Sequence, residues 1–411
     1  MVTQYDIFEI VYKNKVLLKP IEVVRKLNKT EKEYHNIHRF LNELTKDDLL
    51  TKTKYGFQAK ITPKAYLLNN IIYYCLSNNI NYNLLLDKNL LKFISQSLMK
   101  GEVTSNDFNL NSRTFIKYIK ILNKYDLLLI LSKKPLKVKI FYNHLIKSLL
   151  HYFEFKPLIK EKASLNYITE IEKEFELYKR LRKKNEPGFK KIISELEISF
   201  VHHSLSLEGN PITLPETIRI LKDKIIPRNL NTEDVDEVKN YQKAILQMLE
   251  DSPEKKPLTL QAILNYHSLA MQHNPKIAGK IRNVKVIILG NLNFKIAKVK
   301  DIELKLNQLL DNYNEFIKKK TGIKEIIRFA SYFHNEFQYI HPFRDGNSRT
   351  TRLITFYLLQ LKDIPILDIP FGLLDEYLSY TKGYKQRDDK KLSENFQEII
   401  LSNLKKINNI L

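Results

Sequence analysis

The sequence predicts a mainly α-helical protein, with a helical C-terminal domain preceded by two small α+β modules. Apolar residues recur at helical spacing through most of the chain beyond residue 190. Extended runs are confined to short stretches at 49–61, 127–141 and 284–297. The composition is that of a packed chain and not a disordered tether: 43% hydrophobic, 11% aromatic, and 10 glycines in 411 residues.

The first 145 residues read as one unit used twice. In the first copy a short helix runs from Pro20 to Asn28, with proline where a missing N–H costs nothing. A second helix begins near Thr30, with Glu33 placed to complete a capping box. Its Ile37, Phe40, Leu41 and Leu44 share one face. A hairpin follows around Tyr55–Gly56, and helix, helix, hairpin is the order of a winged helix. The second copy runs from Asn89, has a last helix starting near Ser112, and ends in extended runs around Lys134–Pro135. The expected modules are 1–68 and 69–150, followed by a charged helical linker over 151–190 closed by Pro187–Gly188, and a helical domain over 191–411.

Net charge is +22, and residues 1–150 carry 25 Lys and Arg against 12 Asp and Glu, so the N-terminal third is the stronger candidate for a polyanionic partner. Winged helices place a helix in the DNA major groove and a basic wing on phosphate. Here the wings carry Lys52, Lys54 and Lys60, then Lys133, Lys134, Lys137 and Lys139. The same fold also serves protein contact, and both readings stay open. The N-terminus lacks a basic-then-apolar leader, no apolar run reaches the roughly 18 residues of a membrane span, and Cys75 has no partner for a disulfide. These features predict a cytoplasmic protein with no membrane contact.

The chemistry concentrates in residues 341–352, HPFRDGNSRTTR. A helical segment, 325–340, leads into it with Ile326, Ala330, Phe333 and Phe337 on one face. Another helix leaves it from Arg349 to Leu361, with Leu353, Phe356 and Tyr357 facing inward. A Gly- and Asn-containing turn feeding a helix N-terminus leaves backbone amides open for an anion. Arg349 and Arg352 project from that helix's first turn, where only a bound anion favours positive charge. Asp345 is a carboxylate suited to Mg²⁺, and His341 is an imidazole suited to proton transfer near neutral pH. From spacing alone, a structural turn bearing surface arginines reads equally well.

The run resembles the catalytic loop of the Fic family, H-x-F-x-[DE]-G-N-G-R-x-x-R, through His341, Phe343, Asp345, Gly346, Asn347, Arg349 and Arg352, without a gap. Ser348 stands where glycine is usual, and its restricted φ is expected to reshape the loop slightly. The resemblance covers about residues 190–410. It implies an all-helical Fic domain with a β-hairpin flap and a protein adenylyltransferase using ATP and Mg²⁺. His341 would deprotonate a target hydroxyl and Asp345 would hold Mg²⁺. Gly346, Asn347 and Ser348 would form the anion hole, Arg349 and Arg352 would grip the β and γ phosphates, and Phe343 would anchor the loop. Upstream, SLSLEGN (204–210) resembles the family's inhibitory signature through Ser204, Glu208 and Gly209, which implies autoinhibition by Glu208 pairing with Arg352. The extended stretch 284–298, turning at Gly290–Asn293, follows Gly279-Lys-Ile-Arg282 and matches the place of the flap that aligns a target segment.

Other residues read as supporting ones. His35 and His38 lack further metal ligands, and His202, His203, His267 and His334 read as packing residues. Tyr377, Tyr380 and Tyr384 are candidates for an adenine pocket. The partners expected are ATP, a target protein, DNA through the N-terminal modules and a second copy in a homodimer. Two alternatives remain: transfer of UMP, phosphate or phosphocholine, or AMP removal, on a related loop; and a DNA-binding regulator whose Fic domain only senses nucleotide.

Overall fold

Local signals start and stop the helices much as the sequence suggests, and the departures have identifiable causes. A computed structural model of the chain describes residues 2–158, 166–288, 294–365, 368–381 and 387–410. Two compact units emerge, one of residues 1–124 with 139–160, the other of 125–138 with 161–411.

The N-terminal unit begins with α1 (Gln4–Asn14), capped reciprocally by Thr3 and Asp6. Helices α2 (Pro20–Lys26) and α3 (Tyr34–Lys46) follow, then strands β1 (Leu50–Thr53) and β2 (Gly56–Ala59). The strands pair antiparallel, with Leu50 opposite Ala59 and Thr53 opposite Gly56. Leu18 bridges Phe57 through both backbone bonds, at 2.8 and 2.9 Å, adding a third extended segment. That close approach requires glycine at position 56, because a Cβ there would lie 2.7 Å from the Leu18 carbonyl oxygen. The capping box expected from Thr30 and Glu33 does not form. A 3₁₀ turn over Glu31–Glu33 satisfies the Glu33 amide on the Thr30 carbonyl instead.

The rest of this unit comprises α4 (Pro63–Ser77), α5 (Tyr82–Leu85), α6 (Lys88–Lys100), β3 (Glu102–Thr104) and α7 (Ser112–Lys124). Beyond them, β4 (Leu128–Lys133) is hydrogen-bonded to β5 (Leu136–Ile140), and α8 (His144–Tyr152) packs on α4. The expected basic wings are only partly available. Lys60 is ion-paired with Asp48, Lys52 donates to Asn42 Oδ1 at 3.1 Å, and Lys139 is buried.

The second unit contains α9 (Ile168–Lys184), α10 (Glu186–Ser206), α11 (Leu214–Ile218), α12 (Thr232–Asp251), α13 (Leu260–Ala270) and α14 (Ile302–Lys318). It continues through α15 (Ile323–Ile340), α16 (Asn347–Leu361), α17 (Leu374–Thr381) and α18 (Asp389–Ile410). The segment read as a connecting helix is a full member of this bundle. Helix α9 packs along α18, joined by Tyr167 N–H to Gln397 Oε1 at 2.8 Å and by Lys405 to Glu174 at 3.4 Å. The β4 strand lies against α18 as well: Lys405 donates to the Leu131 carbonyl, and Lys133 donates to Asn409. Pro187 and Gly188 do not close a linker. Proline sits in the first turn of α10, where it is tolerated, and Asn185 caps the Gly188 amide.

Helix α16 is the central helix. Every residue from Asn347 to Leu359 is buried, because α12, α13 and α15 enclose it. The expected one-sided apolar face is therefore an underestimate, and the helix carries its two arginines into the interior. No described helix is long and apolar enough to cross a membrane.

Candidate active site

Helix α15 ends at His341, whose backbone is left-handed (φ 49°, ψ 59°) while its amide still bonds the Phe337 carbonyl at 2.9 Å. A non-glycine residue in that conformation must be held there by its surroundings. Phe343 is buried and stacks on His267, ring centroids 3.7 Å apart. Asn347 staples the turn: its Oδ1 accepts from the Phe343 amide at 2.9 Å and its Nδ2 donates to the Phe343 carbonyl at 2.8 Å.

His267 contributes more than packing. The Gly279 amide donates to its Nδ1 at 2.9 Å, so the proton sits on Nε2 and is donated to the Asp345 carbonyl, also at 2.9 Å. Burial lowers its pKa to about 4, which keeps the ring in that neutral tautomer. Gly346 has φ 76°, and a Cβ there would meet Met271 Sδ at 2.8 Å and His267 Nε2 at 3.1 Å, so glycine is required.

The amides of Asn347 and Ser348 lie in the first turn of α16, where a helix supplies no acceptor of its own. The Gly346 amide donates to the Asp345 carboxylate at 2.6 Å. Ser348 occupies this first turn with its φ outside the left-handed region, a backbone that serine adopts without strain. The Asp345 side chain is 66% exposed at the mouth of the site. One carboxylate facing outward beside open amides suits Mg²⁺, which commonly takes one or two protein oxygens and completes its shell with phosphate and water.

The two arginines are buried, which removes the surface-arginine reading. Arg352 donates from Nε to Ser204 Oγ at 2.6 Å and from Nη2 to the Ser204 carbonyl at 2.9 Å. Nη2 also meets Glu208 Oε1 at 3.0 Å. Burial alone would lower the Arg352 pKa, but the Glu208 carboxylate together with Tyr377 and Tyr241 outweighs it and the net shift is upward. The Ser204 hydroxyl donates to the Tyr241 hydroxyl oxygen at 2.9 Å, and Tyr241 donates to the Arg349 carbonyl at 3.4 Å.

Arg349 pairs with Glu237 of α12 and reaches Asp345 at 3.4 Å. Sequence reasoning missed Glu237. It is linked back to the Glu208 turn, because Asn210 donates to Glu237 Oε2 at 2.6 Å. Its only sequence signal is helical spacing with Asn240 and Tyr241, which are buried beside it.

Of the adenine-pocket candidates, Tyr377 is buried, with its hydroxyl 2.7 Å from His334 Nε2 and beside the Arg352 guanidinium. Tyr380 donates to Glu376 at 3.1 Å, and Tyr384 lies outside the described residues. His203 is bonded to Asp368 at 2.9 Å and His202 is buried, both as packing residues. His38 stacks on Tyr34, and no cluster of three metal-ligating side chains occurs among the described residues. The expected flap turn at Gly290–Asn293 lies outside the described residues, and the stretches flanking it, 284–288 and 294–298, form no regular strand.

Residues 257–359 match the family model described as Fic/DOC family. A Nematostella vectensis protein named Protein adenylyltransferase Fic is 28% identical over 193 residues, covering 46% of this chain and 44% of its own. A Drosophila persimilis protein of the same name is 25% identical over 196 residues, 47% of this chain and 37% of its own. The chain thus spans less than half the length of these curated relatives. A Fic domain containing signaling protein from Bacteroides thetaiotaomicron shares the fold over 58% of this chain and 97% of its own, with a TM-score of 0.52 and 20% identity.

Proposed function

We propose that this chain, which carries a Fic domain, is a protein adenylyltransferase that moves AMP from ATP to a hydroxyl side chain of a target protein, and of itself. The observation that carries the reading is the join of α15 and α16. It sets an imidazole, His341, beside an anion-binding helix N-terminus backed by two buried arginines.

In the reaction, His341 accepts the proton of the target hydroxyl as its oxygen attacks the α-phosphorus. The bond to the β-phosphate oxygen breaks, and pyrophosphate leaves. The amides of Asn347 and Ser348 take the α-phosphate charge that builds in the transition state, and Arg349 and Arg352 hold the phosphates beyond it. Gly346 joins the amide set when Asp345 turns outward. Asp345 would hold Mg²⁺, which supplies charge neutralisation on the phosphates. Positioning and electrostatics do most of the work in such a transfer.

The same reading makes the enzyme autoinhibited. Glu208 occupies the guanidinium of Arg352 that ATP needs, and ATP must displace it. A cytoplasmic setting and a homodimer belong to this reading as proposals. The test is a Glu208→Gly protein incubated with lysate and ATP labelled at the α or the γ phosphate. Label retained only from the α position supports AMP transfer. Label retained from γ would mean phosphate transfer, and incorporation from UTP or CDP-choline in preference to ATP would replace the donor.

A second reading, DNA contact through the N-terminal unit, draws on Lys52 and Lys54, both exposed near the tip of the β1–β2 hairpin. The ion pair at Lys60 and the burial of Lys139 reduce its support. A salt-dependent gel shift with duplex DNA tests it.

A further inference from the structure

Arg282 is buried, with 4% of its surface exposed, and its guanidinium makes no ion pair among the described residues. A charge taken out of water in that way is retained only where oxygen acceptors surround it. Here three backbone carbonyls do so. Nε donates to the His341 carbonyl at 2.7 Å, Nη1 to the Val284 carbonyl at 3.0 Å, and Nη2 to the Ala297 carbonyl at 2.6 Å. The backbone repeats the link: the Arg282 amide donates to the Pro342 carbonyl at 2.8 Å, and Ile281 forms a bridge with Phe343. On the far side, the Ala297 amide donates to the Tyr339 carbonyl at 2.9 Å. One guanidinium therefore joins the chain entering residues 284–288, the chain leaving 294–298, and the residue that bears the imidazole.

We infer that Arg282 is the positioning residue for His341, holding its left-handed backbone so that the imidazole is aimed while registering Val284 and Ala297 against it. The inference rests on the adenylyl-transfer reading for its kinetic consequence, but not for its structural one. A planar fork with fixed N–H directions serves three carbonyls at once. A lysine ammonium keeps the charge yet presents a single point that cannot reproduce that spacing. The link from Arg282 to the nucleotide runs through the direction of the His341 ring and through no contact of its own with the phosphate-binding groups. Its loss should consequently lower turnover and leave ATP binding, which the α16 amides and arginines provide, nearly intact.

The test compares Arg282→Lys and Arg282→Gln with the parent, each in the Glu208→Gly background. Expected are a kcat for AMP transfer lower by roughly 100-fold, an ATP KM within about twofold of the parent, since the lost contact orients the base and binds no substrate, and faster amide hydrogen exchange at Ala297, His341 and Phe343. A general packing defect would instead raise exchange across α15 and α16 and weaken ATP binding in step. Unchanged kcat with unchanged exchange overturns the inference, as does parallel loss of ATP binding. If the Glu208→Gly parent itself transfers no AMP, the functional reading fails, and local exchange at those three amides alone then decides the role of Arg282. If the glutamine variant does not fold, the lysine variant gives the same comparison.

Discussion

Glu208 and Arg352 face each other across the site, Oε1 to Nη2 at 3.0 Å, while Ser204 holds the same guanidinium through its hydroxyl and its carbonyl. The carboxylate stands on the terminal turn after α10, and the arginine on the buried helix α16. Removing the carboxylate leaves an arginine already aimed and in need of an anion, so Glu208→Gly should increase auto-AMPylation. A charge-assisted hydrogen bond contributes about 1.5–3 kcal/mol, which corresponds to roughly 10- to 100-fold. Labelling from α-labelled ATP measures it, and an unchanged rate would remove the autoinhibition.

His341→Ala in that background should lower labelling by roughly 100- to 10,000-fold, the range for loss of a general base. The fold should survive, because alanine still ends α15 and Arg282 bonds a carbonyl, not the ring. Persistent labelling would assign the base elsewhere.

Glu237→Gln should expose how much Arg349 depends on its partner. Arg349 is buried and pairs with Glu237, with its Nε lacking a partner among the described residues. Taking one side of a buried pair leaves the other charge uncompensated, at a cost of about 3 kcal/mol. Mg·ATP should recover part of that loss, since its phosphates replace the carboxylate. Thermal melts with and without nucleotide check this, and a larger ATP-induced shift in the variant is the expected sign.

Ser348→Gly restores the residue usual in the family pattern and should not improve the enzyme. Ser348 stands in the first turn of α16, where glycine is the poorer helix former by about 0.5 kcal/mol. Transfer rates within threefold of the parent, a window below about 1 kcal/mol, and slightly lower stability by chemical denaturation are expected. A large gain in rate would show that serine does distort the loop.

Stability should fall as pH drops below about 6.5. Burial lowers the pKa of His267 to about 4 and those of His202 and His334 to about 3. The folded values lie below the unfolded ones, so the unfolded chain binds more protons in that window. These neutral rings therefore contribute fully above pH 6.5, and the contribution is lost progressively toward those lower values. Near pH 5 the three account for uptake of close to three protons on unfolding. His334→Gln should reduce the measured uptake by about one, and an unchanged uptake would mean that ring is protonated in the fold.

The sequence by itself made legible the helical class, the α15–turn–α16 order and the resemblance of the run from His341 to Arg352 to a catalytic loop. Those features are local: apolar spacing, a glycine where φ must be positive, and functional groups within twelve residues of one another. It also paired Glu208 with Arg352 through resemblance to a known motif. Three things were decided only by the tertiary structure. Glu237 meets Arg349 from 112 positions away, His267 clamps the Asp345 carbonyl, and Arg282 joins His341 to Val284 and Ala297. Each relies on helices or loops far apart in the chain being brought together, and each uses backbone carbonyls or a buried pairing that residue type alone does not announce. The same cause explains why α16 looked one-sided in the sequence: threonines, serine and arginines read as solvent-facing until the helices around them enclose and bond them.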